Sequence, residues 1–222
     1  MTGPILLFIG IERGPQFAAG AAAGALAGGI AWLGFALGYA WAATRLRWWG
    51  ALAAGLCAYA AVAMVVVAAA PPFAVVALLV VAGIALAPRG FPRPGPVHAQ
   101  PSSPGLEIGA RMAAGGVLTL AVTRLSPQLG PGLSGVLSVF PVMGIVLAAF
   151  SHRSSGSAFA ILLLHGMVFG FYAFSAYCLT VALAVAQAGV AAGFALALGV
   201  SLAVHFCVLR YMRARARRAQ AP

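Results

Sequence analysis

Residues 157–184, SAFAILLLHGMVFGFYAFSAYCLTVALA, hold no Asp, Glu, Lys or Arg. An α-helix needs roughly 20 apolar residues to cross a hydrocarbon core of about 30 Å, so this run is long enough to span one. Six further segments on either side read the same way: 15–43, 48–70, 72–88, 107–127, 130–150 and 187–209. The segment 72–88 is short, but Pro71-Pro72 opens it, Pro88-Arg89 closes it, and everything between is apolar or glycine. The segment 15–43 is long enough that it must tilt or protrude. The fold expected is an all-α, polytopic transmembrane bundle of about seven spans. Whole-chain composition agrees, with 63% apolar residues, 7% charged residues and a mean hydropathy of +1.04. A soluble domain carries about a quarter charged residues, so a water-soluble globular fold is excluded.

The charge is one-sided: 13 arginines, no lysine, and only Glu12 and Glu107 as acids, for a formal net charge of +11. Five arginines crowd into 210–218 directly after an apolar run, where a cytoplasmic juxtamembrane tail belongs, so nucleic acid is not the expected partner. Counting back from that tail puts Arg153, Arg89, Arg93, Arg45 and Arg47 on the cytoplasmic side of a bacterial inner membrane. Arg13 and Arg124 remain near the other face, where Glu12 neutralises one and snorkelling accommodates the other. Residues 89–106, rich in proline, form a cytoplasmic linker; 1–88 and 107–209 are the membrane halves and 210–222 the Arg-rich tail. Cys57, Cys178 and Cys207 are scattered in apolar stretches and read as packing residues, with no metal or disulfide framework.

Sliding the chain on itself by 142 positions gives 16 identities over residues 1–68, including Phe8/Phe150, Gly14/Gly156, Phe17/Phe159, Gly24/Gly166 and Gly28/Gly170. Such an apolar composition gives about half that by chance. With the topology above, the span from 15 and the span from 157 run in opposite directions, so the repeat is inverted, the architecture of many secondary transporters. The second unit has two spans before its loop 151–156, whereas the first has only residues 3–11 before Gly10–Gly14, about half a bilayer of helix. The first repeat is therefore incomplete as written: either this piece is re-entrant, or the chain begins at an internal Met and further spans precede it.

The stretch Leu129–Val142, LGPGLSGVLSVFPV, followed by FSHRSSG at 150–156, resembles a family of uncharacterised bacterial multi-pass inner-membrane proteins with Gly-Pro and Phe-Pro punctuation. Gly3-Pro4 and Ile11-Glu12-Arg13-Gly14 are similar to that family's first half, which further spans normally precede. The resemblance implies a membrane fold and carries no activity.

Polar groups inside a bilayer are costly and mark functional candidates. His165 shares a helical face with Phe169 and Tyr172 and could relay protons near its reference pKa of about 6.5; the plainer reading is a histidine bonded between helices. Pro141 is expected to kink the middle of span 130–150, freeing carbonyls beside the hydroxyls of Ser134 and Ser138. Glu12 and Arg13 form either a gate or an ordinary charged loop. Glu107 and Arg111 are spaced for an i,i+4 pair, and His205 belongs at the cytoplasmic interface. Gly20, Gly24 and Gly28, like Gly166 and Gly170, lie four apart and read as helix-packing faces that also permit a homodimer; Gly34/Gly38 and Gly189/Gly193 repeat the spacing. No hydrolase, nucleotide-binding or metalloprotease signature is present, no cofactor is implied, and an enzyme is not expected. The reading is a small secondary transporter or exporter of an unknown solute. The alternative is a non-catalytic scaffold that packs through its glycine faces against another membrane protein.

Overall fold

The computed structural model describes residues 2–95, 104–125 and 139–219, and these are all-α. The helices are α1 (Thr2–Arg13), α2 (Pro15–Ala43), α3 (Trp48–Ala69), α4 (Phe73–Gly90), α5 (Pro104–Leu125) and α6 (Val142–Ala219). Among the described residues four helices, α2, α3, α4 and α6, are long and apolar enough to cross a membrane. The architecture is that of a membrane protein. The helix expected over 107–127 is present as α5, but Glu107, Arg111 and Arg124 lie on it and it is not among those four.

Local chemistry explains the ends. Residue Arg47 caps α3 in extended backbone, and at the far end Ala70 turns left-handed (φ 39°) before Pro71-Pro72 stops the helix. Helix α4 starts after Pro72 and continues through Pro88 to Gly90, two residues past the expected stop. Glycines supply the sharper breaks. Gly14 separates α1 from α2 at φ 89°, and α6 is interrupted by Gly156 at φ 85° and Gly189 at φ 80°. L-residues pay about 1–2 kcal/mol in this left-handed region and glycine does not. The polar stretches expected as loops before Gly14 and Gly156 are instead helical up to the glycine itself. At 151–155 the hydroxyl of Ser154 donates back to the Phe150 carbonyl at 2.9 Å, so this side chain is satisfied on its own helix.

The chain forms two compact units, one from Met1–Leu26 with Phe169–Pro222, the other from Ala27–Val168. In the second unit, α2 and α3 make an antiparallel hairpin through glycine contacts. A β-carbon at Gly38 would sit 2.7 Å from Ala58 Cβ, one at Gly34 2.9 Å from a Val62 methyl, and one at Gly55 3.0 Å from the Phe35 ring. Phe35 and Tyr39 are fully buried there. The short stretch 142–155 runs antiparallel along α3: Phe140 packs edge-on against Tyr59, midway along α3, and residue 152 reaches the α2–α3 turn. A β-carbon at Gly144 would lie 3.5 Å from both Trp32 and Phe35.

The first unit has the same parts. Residues 169–188 and 190–219 fold back on one another at Gly189. The Ser201 hydroxyl donates to the Ala173 carbonyl at 3.0 Å, Tyr177 and Phe194 rings lie 6.3 Å apart, and a β-carbon at Gly193 would meet Val185 backbone at 2.7 Å. Helix α1 lies against this second hairpin: the Tyr177 hydroxyl donates to the Gly3 carbonyl, and Gly10 approaches Phe194 and Val190. Adding 142 to Phe35 gives Tyr177, and adding 142 to Gly3 gives Ile145, one residue from the Gly144 that lies near Phe35. Each short helix thus packs against the hairpin that follows the other short helix in the sequence. Burial keeps the same spacing, with Ala18/Ala160, Ala22/Leu164, Leu26/Val168 and Tyr39/Val181 all buried.

Candidate functional site

The most developed polar constellation lies at one end of the second unit. There the turn 44–47 leads into Trp48-Trp49, and the 142–155 stretch ends at Gly156. Arg47, Trp48, Trp49, His152, Arg153, Gly156 and Ser157 line an open cavity of about 660 Å³. Behind it, the buried Tyr39 hydroxyl donates to the Ala148 carbonyl at 3.2 Å and lies 3.1 Å from His152 Nδ1. A phenol has a single proton, so with that proton on Ala148 the histidine Nδ1–H donates to the phenol oxygen, leaving Nε2 for another partner. The two rings meet edge-on at 6.0 Å. Helix α4 is tied to the same end, because the Trp41 indole donates to the Gly90 carbonyl at 2.8 Å. Arg45 and Arg47, Arg89 and Arg93, and Arg153 therefore gather at one end of this unit, with Trp41, Trp48 and Trp49 interleaved.

The residues singled out from sequence fall in several places. His165, in the second unit, packs edge-on against Phe91 just past α4, with ring centres 5.2 Å apart. Phe169 and Tyr172, in the first unit, stack with near-parallel rings 6.2 Å apart. Pro141 departs from expectation. It does not kink a continuous helix but precedes Val142, the start of α6, and its carbonyl accepts from the Ile145 amide at 2.7 Å. Proline suits a helix start, where its missing N–H costs nothing. Ser134 and Ser138 lie outside the described residues. Glu12 and Arg13 are both exposed at the end of α1, and the Arg13 guanidinium lies over the Phe17 ring at 5.5 Å. Arg111 lies over Phe150 at 5.9 Å, and the Glu107 side chain is outside the description. His205 is exposed beside Phe206. Cys178 is buried, Cys57 and Cys207 exposed.

Of the packing glycines, a β-carbon at Gly20, Gly166 or Gly170 would meet nothing within 4 Å, while Gly28 is buried and Gly24 half-buried. The close approaches fall instead at Gly34, Gly38 and Gly193. Among the described residues no group of three His, Cys, Asp or Glu side chains could hold a metal ion. Sequence reading passed over Tyr39 and Phe91, whose partners are 113 and 74 residues away, and did not join Arg47, Trp48, Trp49, His152 and Arg153 into one site. The available signal was the Trp pair beside Arg45 and Arg47, a composition typical of a membrane–water interface. No protein-family model, no curated protein and no solved structure matches this chain.

Proposed function

We propose that the chain is an integral inner-membrane secondary transporter or exporter of a small solute, built from two inverted repeats of which the first is incomplete. One observation carries the reading: left-handed glycine breaks 142 residues apart, at Gly14 and Gly156, each following a short helix, with buried positions recurring at that same spacing. Repeated units with helices that stop part-way through the bilayer are the usual framework for alternating access. Pro141 fits this as a helix start level with the middle of α3. Its position is supported by the Phe140–Tyr59 contact. The gathering of five arginines at one end of the second unit favours that end on the cytoplasmic side, and the run of arginines at 210–218 favours that side for the C-terminus. Activity of a cytoplasm-dependent reporter fused after Pro222 tests the orientation.

His165 is the intramembrane polar residue on which transport is tested, since the two acids stand at helix termini. A deletion strain is expected to accumulate or lose one class of small metabolite, and His165→Ala to reproduce the change in part. Unchanged whole-cell metabolite profiles in both strains would remove the transport reading. The open glycine faces at Gly20, Gly166 and Gly170 favour a second reading, a scaffold that docks another membrane protein. A stoichiometric partner recovered in mild detergent supports the scaffold; a lone monomer or homodimer supports the transporter.

A further inference from the structure

We propose that the cavity between the α2–α3 turn and residues 152–157 binds the phosphate of an anionic phospholipid headgroup. The inference concerns the membrane-facing end of the second unit and does not depend on transport.

The lining residues specify the chemistry. Arg47 and Arg153 bring two guanidiniums, whose forked donors match phosphate oxygens. No acid lies on the lining, and the whole chain has only Glu12 and Glu107 to set against 13 arginines. Helix α3 starts at the cavity wall with no side-chain cap on its first turn, so its positive end adds to the same field. At about 660 Å³ and open on one side, the cavity exceeds a bare phosphate and has room for a phosphoglycerol group.

The surroundings select the lipid as the source of that phosphate. Trp49 and Leu46 are 61% and 49% exposed beside the cavity, and Trp41 is 58% exposed at the same end. Indole rings at this density mark the headgroup level of a bilayer, where a phosphate arrives attached to acyl chains that lie along the apolar helix surface below. Leu78, Val81 and Leu86 on α4 are exposed and supply such a surface.

The test is native mass spectrometry of the full-length protein in detergent, titrated with phosphatidylglycerol and with phosphatidylcholine of matched chains. The first phosphatidylglycerol is expected to bind in preference to phosphatidylcholine. Each arginine near an anionic headgroup strengthens association about fivefold, so Arg47→Gln with Arg153→Gln should cut the preference about twenty-fivefold. Arg13→Gln with Arg210→Gln removes equal charge elsewhere and should leave the preference intact. On the unmutated protein, phosphatidylglycerol should shield Arg47 and Arg153, and not Arg13 or Arg210, from an arginine-selective dicarbonyl reagent. This readout decides the matter even if the glutamine pair does not fold. Equal binding of the two lipids, equal loss in the two double variants, or uniform labelling would overturn the proposal. Displacement of the lipid by excess inorganic phosphate would overturn it in favour of a free-anion site.

Discussion

The α2–α3 hairpin makes a sharp demand on Gly38. In Gly38→Ala the new methyl carbon would lie 2.7 Å from Ala58 Cβ, whereas carbon atoms rest at about 3.5–4.0 Å, so the helices must part by about 1 Å or shift along their axes. Over-packing of this kind costs about 1–3 kcal/mol. Alanine also favours helix over glycine by about 1 kcal/mol, which would mask part of the effect, so the reference is Gly20→Ala, with the same propensity gain and no atom within 4 Å. The difference between the two variants therefore isolates the clash at about 1–3 kcal/mol. Once the Ala58 methyl is removed, the nearest remaining atoms to the new carbon are the Ala54 carbonyl at 3.4 Å and Gly55 Cα at 3.6 Å, both ordinary contacts. Ala58→Gly should accordingly rescue Gly38→Ala, with a favourable coupling of about the size of the clash in a double-mutant cycle. Equilibrium unfolding in mixed detergent micelles, followed by far-ultraviolet circular dichroism, measures all four proteins. If Gly38→Ala is no worse than Gly20→Ala, or if Ala58→Gly brings no recovery, the helices do not approach as described.

Two further outcomes follow from the backbone and the buried hydroxyl. Gly14→Ala and Gly156→Ala introduce a methyl into open space but force φ near +85–89° on an L-residue, so each should destabilise by about 1–2 kcal/mol, and by similar amounts, in the same unfolding assay; a neutral result at either position would mean that the chain does not turn left-handed there. Tyr39→Phe removes the donor to the Ala148 carbonyl and the partner of His152 while keeping the buried ring, and should cost about 1 kcal/mol; a stability equal to the parent protein would discount that bond.

The helices were legible because apolar runs of bilayer length leave few alternatives, and the ends of α2, α3 and α4 fall within about two residues of where Pro, Gly and Arg placed them. The polar runs 10–13 and 151–155 suggest loops, but polarity alone does not end a helix. A Ser or Arg at an interfacial helix end can bond back to its own helix or reach water, and the helix continues. Glycine number misled in another way. With 28 glycines in the chain, spacing by four recurs at Gly20, Gly166 and Gly170 as readily as at Gly34 and Gly38, and only the neighbouring helix decides which of them touches anything. The left-handed turn at Gly189 was hidden for the same reason. The Tyr39–His152 pair and the Phe91–His165 contact lie beyond any periodic signal, since nothing local to a tyrosine on one helix announces a histidine more than a hundred residues on.

The exchange of short helices also sets an order of events during synthesis. The surface against which α1 rests, around Tyr177 and Phe194, leaves the ribosome some 170–190 residues after α1 does. Closing so long a loop costs little more than closing one of half the length, but it cannot begin until the last hairpin has been made. Until then α1 waits at the membrane without its seat, whereas residues 142–155 emerge to find the α2–α3 hairpin already in place. A short helix finds its hairpin early in one unit and last in the other. The first unit is therefore the part of the molecule most exposed to proteolysis and mispairing while the chain is still growing.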